Sequence, residues 1–457
     1  MPWHATRLYN PQVQTAARIL STFAAGLRHE AIPALDRERA RACLVDTVGV
    51  CLLGSRLPWG RAVADYAHQY GGHGTSRMVG VAGAVSAPLA ALANGVFAHG
   101  FELDSLRKPG AGVHPGAALV PVALALGEET GCNGATLVTA IVAGCEVMFR
   151  IGAASKHSSE RLGFHAPGLT GPFGAAVTAA RILNLDAATL TQALGIAGSL
   201  CGGLLAFAQA DNGAMVKRLH LGRAAESGIL AARLAQRGFE GPDTILEGGF
   251  GFLATYCAEA DPALLLAGLG ERFETRNLCI KRYPCHVTAH TPLVAIEMLR
   301  RQHAFGADDV TAVVVRASTK VVSHHADPAP ADTMAAQYSV PWCVAVALRD
   351  DPMDPQAYGA RGLADARLRA LCRAVRCEAL PAPAGGWTSE VELTLSDGRV
   401  LTRMQDDFPG TPTQPLDEEA LMMKFRRCAA AYARTDELLD QLMRIDSLSD
   451  VRMLALA

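Results

Sequence analysis

Ten consecutive residues, KRYPCHVTAH at positions 281–290, hold Lys281, Arg282, Cys285, His286 and His290. A set like this can bind a metal, present a thiol nucleophile or move protons. His286 and His290 have the i, i+4 spacing of a two-histidine metal site. Val287, however, stands where a zinc protease carries its glutamate, and no third ligand lies at motif spacing. A Cys285 nucleophile needs a paired base and an activating field. On a helix the adjacent His286 would point elsewhere. Lys281 and His286, as charge and proton-transfer partners, are the preferred reading.

Three further stretches concentrate reactive types. HGFELDSLRKPGAGVHPG (99–116) carries His99, Glu102, Asp104, Arg107, Lys108 and His114. Its glycines and a proline break the helix between the acids and His114, and a loop this rich in ionisable groups is a functional candidate. RLGFHAPGLTGPFGAA (161–176) places His165 before a Gly/Pro turn that runs into a small-residue helix, whose first N–H groups can receive a carboxylate. DNGAMVKRLHLG (211–222) spaces Lys217 and His220 three apart. Taken alone, His165 reads as structural at least as readily as catalytic, and Lys217 equally as surface charge or carboxylate anchor. VVSHHA (321–326) reads as an exposed helix or loop.

These groups must be positioned by the elements around them. Residues 10–270 read as successive helices, with apolar residues at three- and four-residue spacing. Asp36 is expected to cap one helix, Ser86 with Pro88 to start another, Asp186 a third, and Gly238 to end a fourth. After about residue 270 the texture changes. VTAVVVRAS (310–318) is a β-branched run, and SEVELTLSDGRVLTRM (389–404) alternates and turns at Asp397-Gly398. SVPWCVAVAL and DARLRALCRAV are helical, ALPAPAGGW is a loop, and the chain is helical again after Pro415. The expected fold class is therefore mainly α with a smaller α+β domain. A large helical domain comprises 1–270 completed by 406–457, and an inserted α+β lid domain comprises 271–405, with a binding cleft between them.

Composition narrows the function classes. A net charge of −2 on 457 residues gives no attraction to nucleic acid or an anionic membrane. The N-terminal MPWHATRLYN lacks the apolar core of a signal peptide, and no uncharged apolar run reaches the roughly 18 to 20 residues of a membrane span. The twelve cysteines sit mostly in apolar surroundings without CxxC pairs, which fits reduced thiols in the cytoplasm. Neither GxGxxG in a strand–helix context nor a Walker A pattern is present.

In order along the chain, HGFELDS…HPG, GFHAPGLTGPFGAAVTAARILNL, KRLHLGRAAESG, FEGPDTILEGGFGF and IKRYPCHVTAH resemble the MmgE/PrpD family, as do AAQYSVPWCVAVAL, LSDGR and DDFPGTPTQPL nearer the C-terminus. That family includes 2-methylcitrate dehydratases, cis-aconitate decarboxylases and an iminodisuccinate epimerase. The resemblance implies a helical domain closed by both chain ends, a lid domain, a homodimer, and no metal or organic cofactor. It implies catalytic roles for His114, His165, Lys281 and His286, with Glu102, Asp104 and Lys217 binding substrate; Arg107 and Lys108, as cations of the same loop, are further candidates to hold substrate carboxylates. Many members read Asp at the position of Glu102 and Asp-Asp at Asp104-Ser105, and some have threonine at the position of Leu106. The loop LRKPGAGV before His114 also differs from the decarboxylase pattern; these departures count against a decarboxylase and leave the substrate open, and dehydration or hydration is the commonest role in the family.

The substrates implied are di- or tricarboxylates, and the shared step is proton transfer at a carbon beside a carboxylate. Lysines would hold the carboxylates, a histidine would take the proton, and enolate charge would be stabilised without metal. His114 or His165 is the expected base, with Lys281 and His286 on the opposite face. A 2-methylcitrate dehydratase-like lyase is the main expectation. An iminodisuccinate-like epimerase, a cis-aconitate decarboxylase and a non-catalytic carboxylate-binding homologue are the alternatives.

Overall fold

The computed structural model describes residues 14–110, 112–209, 215–380 and 386–457. The MPWHATRLYN stretch, the DNGA of the third constellation and most of the ALPAPAGGW loop lie outside the described residues. The protein is mainly α with a smaller α+β part. Among the described residues, nine helices build the first half: α1 (Ala16–Gly26), α2 (Ala34–Gly54), α3 (Pro58–Tyr70), α4 (Ala87–Ala98), α5 (Pro115–Thr130), α6 (Gly134–Ala154), α7 (Ala166–Ile182), α8 (Ala187–Gly198) and α9 (Val216–Gln236). A hairpin of β1 (Ser76–Arg77) and β2 (Ala84–Val85) and a short strand β3 (Leu106–Arg107) interrupt them. Helix α10 (Phe252–Tyr256) and strand β4 (Leu278–Cys279) follow.

The second part opens with α11 (His290–Gln302), β5 (Val310–Ala317), α12 (Thr319–His324), α13 (Thr333–Tyr338) and α14 (Val340–Arg349). It continues through α15 (Ala360–Ala364), α16 (Ala366–Arg373), β6 (Val375–Ala379), β7 (Ser389–Leu395) and β8 (Val400–Gln405). The chain ends in α17 (Glu418–Cys428) and α18 (Thr435–Met443). One sheet has the order β6-β5-β7-β8. β5 runs parallel to β6 and antiparallel to β7, and the β7–β8 hairpin turns at Gly398 with φ 87°. That positive φ is the conformation for which glycine is the default residue. The inward-facing alternation of SEVELTL matches the one-sided burial of β7.

Buried apolar side chains form two large cores. One joins the helices of the first half to α17 and α18. The other joins Leu106 to residues between 279 and 408. Several local expectations needed revision. Asp36 does not cap a helix. α2 begins two residues earlier behind Pro33, and the Asp36 carboxylate is buried against Arg276 at 3.2 Å. Ser86 occupies the cap position of α4 without a side-chain capping bond, whereas Asp186 accepts from the Thr189 amide at 2.8 Å. Strand β6 went unread because its Arg376 and Glu378 look like the continuation of an exposed helix. Charged residues of this kind suit an edge strand.

Small residues set one crossing that the site depends on. A Cβ on Gly222 of α9 would lie 2.4 Å from the Leu92 carbonyl oxygen and 2.7 Å from Val96 Cγ2, both on α4. A Cβ on Gly95 of α4 would meet the Gly222 Cα at 2.7 Å. The two backbones therefore touch, which brings the start of α9 beside the end of α4. Gly222→Ala should destabilise the fold by about 2 kcal/mol through forced separation of these helices, read as a lowered denaturation midpoint in urea.

Helix α6 is apolar enough to cross a membrane by length and composition, yet nearly all of it is buried inside the protein. Its two charged residues bind the segment that leads into the second part. Glu146 Oε1 accepts from the Thr275 amide at 3.0 Å, and Arg150 donates to the Ala267 carbonyl at 2.8 Å. Burial raises Glu146 from 4.5 to about 7, against the opposing pull of Thr275 and Arg150. The folded state thus prefers the protonated acid. Its contribution to stability is complete below about pH 4.5 and is lost as pH rises through about 7. Glu146→Gln should flatten this slope, so that melting temperatures of variant and wild type diverge across that window in favour of the variant.

Candidate active site

The segment following α4 is pinned through its backbone carbonyls. Gln337 Nε2 donates to the Phe101 carbonyl at 2.7 Å and to the Pro284 carbonyl at 2.9 Å. Lys281 Nζ donates to the Glu102 carbonyl at 3.1 Å, and Lys424 Nζ to that of Leu103 at 2.9 Å. β3 then pairs with β4, Leu106 opposite Cys279. Glu102 itself adopts φ 55°, a left-handed conformation that costs about 1 kcal/mol or more for a side chain of this kind. The turn aims its carboxylate at the two lysines.

Glu102, Lys217 and Lys281 are all buried, at 3%, 4% and 2% exposure. Lys217 Nζ donates to Glu102 Oε1, and Lys281 Nζ donates to Oε2 at 3.2 Å. Lys217 also donates to the Tyr338 hydroxyl at 2.7 Å, and that hydroxyl donates to Glu102 Oε1 at 3.3 Å. Burial pushes both ammonium groups below the ordinary lysine range. Arg218 and Lys281 add to the effect at Lys217, while Asp104 opposes it at Lys281. Glu102 supplies their common counter-charge.

Asp104 organises a second set. One carboxylate oxygen, Oδ2, accepts from His99 Nδ1 at 2.8 Å and from His114 Nδ1 at 2.7 Å. Burial alone would raise this acid, but the two imidazoles outweigh it and hold it well below the usual carboxylate range. His99 is pushed down to about 3 by burial, against the pull of Asp104, and stays neutral. The ring of His99 lies 5.2 Å from that of His114 and 5.9 Å from that of His165. His165 Nδ1 in turn lies 2.9 Å from His220 Nδ1. His99, Asp104 and His114 are also ligand types for a divalent ion, with their polar atoms within 4.8 Å of one another. As they stand, the two hydrogen bonds account for that convergence.

On the lid side, His286 Nδ1 accepts from the Thr288 amide at 3.4 Å and lies 2.9 Å from its hydroxyl, which leaves the ring proton on Nε2. Its ring stacks on His325 at 4.2 Å and lies 5.0 Å from Tyr338. Burial, with His325 and Lys281, depresses its proton affinity well below the ordinary value.

The structure thus brings together Glu102, Asp104, His114, His165, Lys217, Lys281 and His286. It gives Arg107 and Lys108 other partners. Arg107 pairs with Glu274 at 3.1 Å, and Lys108 with Asp407 at 2.5 Å. Both cations brace the loop against its surroundings, and neither pairs with a member of the cluster. His290 is buried between Tyr283 and Phe408 and belongs to the packing. His325, expected on an exposed segment, is buried against His286. Tyr338 was not singled out from sequence. His99 and His220 were named only as members of their stretches, His99 with Glu102 and His220 three residues from Lys217, with no role assigned.

The departures noted in the sequence separate in space. Ser105 Oγ accepts from the Gly116 amide at 3.1 Å, and Leu106 enters the second core. Of the changed positions, Glu102 alone reaches the lysines.

A helical domain completed by C-terminal helices, an α+β part and this lysine–imidazole cluster at their junction define the class. Residues 18–265 match the MmgE/PrpD N-terminal domain and 283–446 the MmgE/PrpD C-terminal domain. The chain belongs to the MmgE/PrpD family. Among its relatives is the cis-aconitate decarboxylase of Mus musculus, 28% identical over 90% of this chain and 86% of the relative. The enzyme of that name from Homo sapiens is 27% identical over 91% and 88% of the two chains. The one from Aspergillus terreus (strain NIH 2624 / FGSC A1156) is 28% identical over 94% and 93%.

Asp104 fixes two imidazoles at once, so Asp104→Asn should disturb both tautomers while preserving shape. A loss of turnover of about 100-fold or more is expected, with an unchanged circular dichroism spectrum as the check on folding.

Proposed function

We propose that this protein is a decarboxylase of cis-aconitate or a closely similar unsaturated tricarboxylate. One observation carries the reading: two buried lysines and a tyrosine hydroxyl converge on a single carboxylate, beside imidazoles that burial keeps neutral. Such a site suits an anionic substrate whose protons must be moved by uncharged groups. The names of the relatives favour the decarboxylase over the dehydratase that the sequence motifs suggested. With the family resemblance comes the further proposal of a homodimer acting in the cytoplasm without metal or organic cofactor.

In the proposed reaction, the bond from the methylene carbon to its carboxylate breaks and carbon dioxide leaves. The electron pair enters an allylic system conjugated with the carboxylate on the far vinyl carbon. A proton adds there, and the double bond moves to the terminal carbon, giving an itaconate-type diacid. Lys217 and Lys281 hold carboxylates and balance the developing charge. His114, tied to Asp104, and His165 are placed to handle the proton, with His286 as the proton-bearing group on the lid side.

Proton NMR in deuterated buffer tests this directly. With cis-aconitate, the single vinylic signal should give way to a terminal methylene pair, with one deuterium beside the retained carboxylate. Lys281→Ala should slow this by about 100-fold or more. Collapse of the 2-methylcitrate methyl doublet to an allylic methyl singlet, or a new vinylic signal, would instead establish the dehydratase. Deuterium entering a dicarboxylate without change of skeleton would establish the epimerase.

A further inference from the structure

His165 and His220 face each other through like atoms, Nδ1 to Nδ1, at 2.9 Å. Two imidazole nitrogens can sit this close only if one carries a proton and the other a lone pair. The rings must therefore hold opposite tautomers. Their surroundings decide which is which. Asp104 is a pure acceptor, so His99 and His114 both donate from Nδ1, and the neutral His99 keeps its lone pair on Nε2. The His99 Nε2 is buried and has no hydrogen-bond partner among the described residues. With its proton on Nδ1, His165 would add another lone pair beside the ring of His99, which already offers one at Nε2. With its proton on Nε2, His165 instead brings a donor into this neighbourhood, without pairing with His99 Nε2 itself. His220 is half-buried and lines a cavity of about 460 Å³ together with Gly168, Phe207 and Arg223, so water can serve its second nitrogen.

We infer that His220 is a positioning residue whose Nδ1–H fixes the proton of His165 on Nε2 and so makes His165 the proton donor of the site. The inference rests on the proposed function in one respect, that His165 acts on the substrate. Burial and the neighbouring imidazoles keep His165 neutral, so its tautomer rather than its charge determines what it can do. When Nε2 gives its proton to the substrate carbon, the His220 Nδ1 proton moves to His165 Nδ1. Solvent then protonates His220 at Nε2. One solvent proton is consumed, neither ring is left anionic, and exchange with solvent restores the starting tautomers.

Two variants and one spectrum test it. His220→Leu removes the donor, and kcat should fall about tenfold or more with little change in KM. His220→Asn keeps an N–H donor near the Nδ1 position and should restore most of the rate, which a packing role would not predict. In 15N-histidine-labelled wild type, the His165 signals, assigned against His165→Gln, should report a proton on Nε2. Wild-type turnover by His220→Leu, or a proton on His165 Nδ1, would overturn the inference. If the wild-type protein turns over none of the polycarboxylates, the proposed function fails, while the nitrogen shifts still decide the tautomer.

Discussion

Two lysine ammonium groups out of reach of water need a counter-charge, and Glu102 provides it. An isolated buried charge is costly, whereas a carboxylate shared between two cations offsets much of that cost. The rest of the site follows from bringing these three side chains to one point. Lys217 arrives on α9, which requires the glycine-to-glycine contact with α4. Lys281 arrives just after β4, held by its pairing with β3. Glu102 lies between, on a turn whose left-handed backbone points it at both. A substrate carboxylate entering this place meets cations already desolvated, with a tyrosine hydroxyl beside them.

The imidazoles divide by what fixes them. Asp104 makes His99 and His114 proton acceptors at Nε2, and Thr288 makes His286 a donor at the same atom. Where burial keeps the ring neutral, as at His99 and His286, a defined tautomer lets proton transfer proceed without charging a dry site. The separation of departures matters here too. Ser105 and Leu106 serve helix start and core packing, so their difference from the family pattern bears little on which reaction the lysines and imidazoles support.

Much of this was legible in the sequence because the relevant stretches are dense in ionisable residues, glycine and proline. Glu102, Asp104, His114, Lys281 and His286 stand out for that reason. Tyr338 does not, because AAQYSVPW reads as the entry to an apolar helix and its partner Lys217 is 121 positions away. Arg107 and Lys108 looked like substrate anchors because their ion-pair partners, Glu274 and Asp407, are equally remote in sequence. His325 illustrates the same limit from the other side. A polar stretch reads as exposed, and only tertiary packing lays its ring on His286. The helices and the β7–β8 hairpin were readable from local periodicity, while β6 depends on pairing in parallel with a strand some sixty residues earlier.

The loop from Phe101 to Leu103 is fastened by its carbonyl oxygens, which every residue type possesses. Its path is therefore largely independent of which side chains it carries. A shorter carboxylate at position 102 can shift the counter-charge between the lysines while the main chain stays where Gln337, Lys281 and Lys424 hold it. A scaffold built this way is open to evolutionary change in selectivity one side chain at a time, without first having to find a new loop conformation.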